Sequence, residues 1–260
     1  MSVFFGAGVL FGTPQYTAAG VAITNPSPIQ FGILQNITVD ESWETKELYG
    51  ANQFPVAVGR GKGKVSMTAK AANFNAALVN TFLYGVTATA NYEAIYNDLT
   101  GTAVPTSPYG VTVEPPGTMT ASAWLTDLGV VSAVNGVPYT RVGTGTTPTA
   151  GQYNIGATGV YTFSSQDYGK TVFISYAYGD TGITSGQKLI VTNQAMGYMP
   201  IFSVDLQVQY QGKTLYVRYP KAIASSFTRD YKNDDFSIPE FKIDCFADDS
   251  GNISYMWSYE

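Results

Sequence analysis

Lys64-Val65-Ser66-Met67-Thr68-Ala69-Lys70 alternates polar and apolar side chains without a break. Val65, Met67 and Ala69 share one face of an extended chain, and Lys64, Ser66, Thr68 and Lys70 share the other, as in a strand with one face buried. Upstream, Phe54-Pro55-Val56-Ala57-Val58 leads into this run through Gly59-Arg60-Gly61-Lys62-Gly63, and Tyr49-Gly50-Ala51-Asn52-Gln53 reads as a turn. Before the turn, Ile33, Ile37, Val39 and Trp43 mark a partner strand that becomes charged over Asp40-Glu41-Ser42-Trp43-Glu44-Thr45-Lys46-Glu47. The pattern predicts a long hairpin over about 40–64. Downstream the period changes, with Phe74, Ala77, Leu78, Thr81 and Phe82 at i, i+3, i+4, i+7 and i+8. That spacing predicts one amphipathic helix over about 73–84, with Asn73 as N-cap and Gly85 as stop.

Composition narrows the class. Only 13% of the 260 residues are charged, against about a quarter in ordinary soluble chains, while 27 Gly, 19 Tyr and 14 Phe take their place. Burial in a core and in subunit contacts explains that shift, since interfaces favour Tyr and Phe over Lys and Glu. A net charge of -5 argues against a sequence-specific nucleic-acid binder, although not against a surface past which nucleic acid moves without sticking. One cysteine, Cys245, leaves no disulfide framework and no cysteine-rich zinc site, and the absence of His removes the commonest general base. No signal peptide and no membrane-spanning apolar run is evident, so the expectation is a soluble protein used without secretion.

Taken in order, residues 1–30 form an aperiodic Gly/Ala/Pro/Ser-rich arm with scattered aromatics. From 104 to 182 the basic residues fall to Arg141 and Lys170, and short strands are readable around 111–113, 130–134, 159–163 and 171–178. Asn135-Gly136 is a tight-turn signal. This segment is expected to be an inserted β-sandwich-like module. Regular alternation then returns. Val204, Leu206, Val208 and Tyr210 oppose Ser203, Asp205, Gln207 and Gln209, and similar runs follow through Leu215–Tyr219, Phe241–Ala247 and Ile253–Tyr259. The expected fold is mainly β, with a sandwich or barrel core over 1–103 and 183–260, one flanking α-helix, and the small β domain 104–182 inserted.

Candidate chemistry is sparse. Gly59-Arg60-Gly61-Lys62-Gly63-Lys64 lacks phosphate-loop spacing, and Arg60, Lys62, Lys64 and Lys70 share a strand face. That face is either solvated or a basic edge for acids of a neighbouring subunit, with Glu41, Glu44 and Glu47 as partners of opposite sign. Asp248-Asp249 sits in a hairpin turn without calcium-loop spacing. Cys245 has no His to activate it and reads as a small core residue. No catalytic, cofactor-binding or metal-binding residue is predicted, and no cofactor.

Glu44-Thr45-Lys46-Glu47-Leu48-Tyr49-Gly50, Phe54-Pro55-Val56-Ala57-Val58-Gly59 and Gly61-Lys62-Gly63-Lys64-Val65, with the helix to Tyr84-Gly85, resemble the major tail tube proteins of long-tailed bacteriophages. Asp230-Tyr231-Lys232-Asn233-Asp234-Asp235-Phe236 and Phe241-Lys242-Ile243-Asp244-Cys245-Phe246-Ala247-Asp248 resemble that family's closing strands. Gly159-Val160-Tyr161-Thr162-Phe163-Ser164 and Asp167-Tyr168-Gly169-Lys170-Thr171-Val172 resemble β modules of phage virion proteins. The resemblance implies a non-enzymatic virion subunit, assembled in the host cytoplasm. It forms stacked rings, commonly hexameric, around a channel for genome ejection. Implied partners are other copies of the chain, tail completion and tip proteins, a tape measure protein in the lumen, and double-stranded DNA in transit without specific binding. The module would lie outside the tube. Asp205, Gln207, Gln209 and Glu44 are candidates for the lumen. Leu48, Tyr49, Gly50, Asn52, Gln53, Arg60, Lys62 and Lys64 are candidates for contacts between rings. The rival is a β-sandwich binding module, such as a capsid decoration protein or an adhesin, with aromatics on an open face.

Overall fold

Period-two alternation dominates the chain, and in the computed structural model it becomes strand. The structure describes residues 6–259 except 74–75, 87–88, 118, 120–122, 157 and 181–185. In chain order the strands begin with β1 (Val9–Tyr16), β2 (Ile29–Gln30), β3 (Leu34–Tyr49), β4 (Pro55–Ala71), β5 (Thr89–Ala90) and β6 (Tyr92–Tyr96). They continue with β7 (Thr102–Ala103), β8 (Gly110–Thr112), β9 (Trp124–Ser132), β10 (Thr140–Arg141), β11 (Gln152–Ile155) and β12 (Val160–Phe163). The last are β13 (Thr171–Asp180), β14 (Gln187–Lys188), β15 (Ile201–Tyr210), β16 (Lys213–Thr228), β17 (Glu240–Phe246) and β18 (Tyr255–Tyr259). The fold is mainly β, and none of its sheets closes into a barrel among the described residues.

Two compact units divide the chain: Met1–Ala88 with Leu189–Glu260, and Thr89–Lys188. The first holds an eight-stranded sheet in the order β2-β1-β15-β16-β17-β4-β3, with β18 also paired to β16. β17 runs antiparallel beside Lys221–Thr228 of β16, and β18 runs the same way beside Thr214–Arg218. The two are pieces of one strand lane, interrupted by the turn 247–254. Asp248 holds that turn by accepting from the amides of Ser250 (2.9 Å) and Asn252 (2.8 Å). Hydrogen bonding to the charged form, chiefly from Asn252, holds its carboxyl below the usual range. The aspartate pair therefore serves the turn, and its second member, Asp249, meets Lys221 Nζ at 2.6 Å.

One face of this sheet carries Leu10, Met67, Ala69, Phe202, Val204, Tyr219 and Ile243 against a helical segment. Ala76–Leu78 is α-helical and Val79–Tyr84 is wound as a π-helix, so the single α-helix expected over 73–84 is corrected. The wider i→i+5 turn brings Val79 and Asn80 inward together with Leu78 and Phe82. Asn73, expected as N-cap, instead accepts from the Ile33 amide through its side-chain oxygen (2.9 Å). Phe74 lies outside the described residues. Gly85 stops the helix in the left-handed region, at φ 62°.

The second unit has one four-stranded sheet ordered β10-β11-β12-β8 and another in which β13 pairs with β6, β7 and β9. They share an apolar core that includes Val130, Tyr161, Phe163, Val172, Ile174 and Tyr176. This unit extends beyond 104–182 at both ends. Tyr92–Tyr96 pairs with Tyr176–Asp180, Thr102–Ala103 pairs with Thr171–Val172, and β5 pairs with β14 at the entrance and exit of the unit. Among the described residues no helix is long and apolar enough to cross a membrane.

Candidate assembly surfaces

β17 stops pairing with β4 at Val65, but β3 and β4 remain paired out to Tyr49 and Pro55. Residues 41–64 thus form a two-stranded ribbon with no third strand among the described residues. A lone hairpin is marginal in water, so such a ribbon gains from a partner. Alternation breaks within β4: two steps of β3 from Trp43 to Thr45 oppose three of β4 from Gly63 to Arg60, so Arg60 shares the face of Trp43 and Gly63 while Lys64 lies on the other, which corrects the expectation of one face shared by Arg60, Lys62 and Lys64. The glycines make room for their neighbours: a Cβ at Gly63 would lie 2.9 Å from the Trp43 indole, and one at Gly61 3.3 Å from Glu44 Cβ. The register slips between Trp43 and Thr45, and the Arg60 guanidinium sits 4.5 Å from the Trp43 ring centre.

The tip is uncharged from Leu48 to Gly59. Phe54 (79%), Val56 (66%) and Val58 (62%) are largely exposed, although such residues usually fill cores. Leu48, Tyr49, Gly50, Asn52 and Gln53, expected between rings, are all exposed at this end. The Tyr49 hydroxyl donates to Glu47, which pushes the Tyr49 phenol up from its ordinary value. Sequence reasoning missed Phe54, Val56 and Val58 as surface residues, because alternation alone does not say which face is covered.

The face of the sheet opposite the core carries the other candidates. Gln207 and Gln209 are exposed, and Asp205 is half-buried. Asp205 accepts from the Tyr216 hydroxyl and lies 3.7 Å from Arg218 Nε. Burial and that hydrogen bond push the Tyr216 phenol up. Lys64 stands 3.5 Å from Asp244, Lys70 3.3 Å from Glu240, and Lys46 3.8 Å from Glu44. Each of these acids meets a cation of the same chain, so Lys64 and Lys70 have acids within the chain itself. Such exposed pairs contribute only about 0–1 kcal/mol each, but they balance the charge of the face. Arg60 and Lys62 meet no acid among the described residues. The sequence also concealed an aromatic ladder here: Trp257 stacks on Tyr216 with centroids 4.8 Å apart, and Tyr255 follows at 6.1 Å.

Cys245 is half-buried at the root of the ribbon, and burial, then Asp244 and Glu41, push its thiol up to about 12. At neutral pH it is a thiol and not a nucleophilic thiolate. In the second unit, Asp127 accepts from Tyr153 Oη (2.8 Å), Tyr161 Oη (3.1 Å) and the Gly129 amide (3.0 Å), with Arg141 Nη1 3.8 Å away. Asp167, fully buried, accepts from the Gly151 amide (2.9 Å) and from Lys170 Nζ (2.7 Å). A cleft of about 330 Å³ beside Tyr96 and Tyr176 contains Asp98, whose carboxylate binds the amides of Thr100, Gly101 and Ile174. These acids are occupied in holding backbone and phenols. The sequence matches no protein-family model and no curated protein, so the surfaces themselves carry the functional reading.

Proposed function

We propose that the chain is a structural virion protein, a subunit of the tail tube of a long-tailed bacteriophage, forming stacked hexameric rings around a channel for genome delivery. The ribbon 41–64 carries this reading: it is a long, uncovered hairpin with an apolar tip, which suits contact between rings. The outer edge of β3, unpaired among the described residues, adds a second association surface, because exposed strand edges recruit other chains. On this reading the charge-balanced face with Gln207 and Gln209 lines the channel. Few uncompensated cations there would hold DNA phosphates, so DNA would move without salt-dependent sticking. Tail completion and tip proteins would meet the tube ends, and a tape measure protein would fill the lumen.

Negative-stain microscopy of the purified protein tests the reading: rings or tubes are expected, and compact monomers at high concentration would overturn it. The Tyr216, Trp257 and Tyr255 ladder favours the rival binding module, which the same images would then support. Two deletions extend the test. Removing Gly50 to Gln53 should leave a folded subunit that no longer elongates, and tubes of unchanged length would contradict the role of the ribbon. Replacing Thr89–Lys188 with a short Gly/Ser linker should still give tubes, because the first unit supplies both association surfaces. A folded remnant that never assembles would refute that assignment.

A further inference from the structure

β4 runs 17 residues from the ribbon tip at Pro55 to Ala71, about 50 Å at roughly 3.3 Å per residue. The segment 229–239 joins β16 to β17 and returns beside the far end of that strand, where the Ala71 amide donates to the Pro239 carbonyl (3.2 Å). The first unit therefore has two unlike ends. One offers Arg60 and Lys62, at a β-bulge, near exposed Val56 and Val58. The other offers Asp230, Asp234 and Asp235 with Tyr231 (77%) and Phe236 (90%) turned to solvent. Lys232 pairs with Asp230 at 3.2 Å, while Asp234 and Asp235 meet no cation among the described residues.

We propose that the ribbon of one copy seats on segment 229–239 of the next, with Arg60 and Lys62 facing Asp234 and Asp235, and with Val56 and Val58 against Tyr231 and Phe236. The contact rests on the tube reading and names the receiving surface. Its two halves have opposite charge and both expose apolar side chains, and among the described residues Arg60, Lys62, Asp234 and Asp235 meet no ion-pair partner. Opposite charges across an interface fix register and reject wrong partners. The two halves are different patches at opposite ends of one unit, so the contact is head-to-tail, the kind that builds an open stack when its rotation does not close a ring. Cation–π contact with Trp43 holds the Arg60 guanidinium on the ribbon, 4.5 Å from the ring centre.

Charge reversal in the full-length chain tests the pairing. Arg60→Glu with Lys62→Glu should shorten tubes roughly tenfold by electron microscopy, and Asp234→Lys with Asp235→Lys should do the same. All four substitutions together should restore length. The milder Lys62→Gln and Asp235→Asn, each expected to shorten tubes roughly threefold, decide the matter if a reversal does not fold. A wild type that elongates while the folded reversals change nothing, or a fourfold variant no longer than the doubles, overturns this contact alone. A wild type that stays monomeric overturns the tube reading and the contact with it.

Discussion

Phe82→Ala should cost the first unit about 3–5 kcal/mol, the range for removing a fully buried aromatic side chain. Phe82 has no exposed surface, stacks on Phe31 with centroids 5.5 Å apart, and lies 4.5 Å from Phe202. Strand β1 approaches the ring through Gly12, where a Cβ would stand 2.6 Å from Phe82 Cζ. On that side Gly12 offers no side chain to refill the cavity. Against a typical total of about 5–15 kcal/mol, the loss leaves the unit marginal. Urea denaturation measures it, with exposed Leu48→Ala as a control expected within about 0.5 kcal/mol of wild type. A loss below about 1 kcal/mol would mean that the helix does not anchor this core.

Asp127→Ala should destabilise the second unit by about 2–4 kcal/mol, since each buried donor left without its acceptor costs about 1–3 kcal/mol. It leaves two buried phenols and the Gly129 amide without their acceptor, and Arg141 without its acid. Asp127→Asn should cost less, since an amide oxygen still accepts. Burial above all, with the Asp127 contacts, raises the Tyr153 and Tyr161 phenols above their ordinary value of 10.0. The sign follows: both remain protonated in the folded chain, so their contribution is complete below pH 10 and is lost as pH rises above it. Denaturation at neutral and alkaline pH measures both effects. Equal stability of Asp127→Ala and wild type would show the network to be dispensable.

The long hairpin was legible because charge and apolarity alternate over many residues, which only a strand accommodates. The helix was half legible. Its apolar spacing located Leu78 and Phe82, but winding depends on what the sheet demands, and Asn73 was drawn away by Ile33. The limits of the second unit were hidden because Thr89–Ala90, Thr102–Ala103 and Gln187–Lys188 are two-residue strands, too short to show any period. Asp127 carried a signal that went unused: it is a lone acid inside the apolar run Leu125 to Val131, where only a partnered carboxylate is stable. At the surface, strand period could not show the extra β4 residue that turns Arg60 away from Lys64, nor that Lys64 and Lys70 would find acids on β17.

The short ladder of β5 and β14 has a practical consequence. The chain leaves the first unit at Thr89 and re-enters after Lys188, and those two residues are directly paired. Antiparallel partners stand about 5 Å apart, so the host perceives the whole second unit as little more than a tight turn. Any foreign domain whose own ends lie that close can be grafted at this junction with little added closure entropy. The site is a ready socket for display, at which an enzyme or an epitope could be repeated once per copy along an assembly.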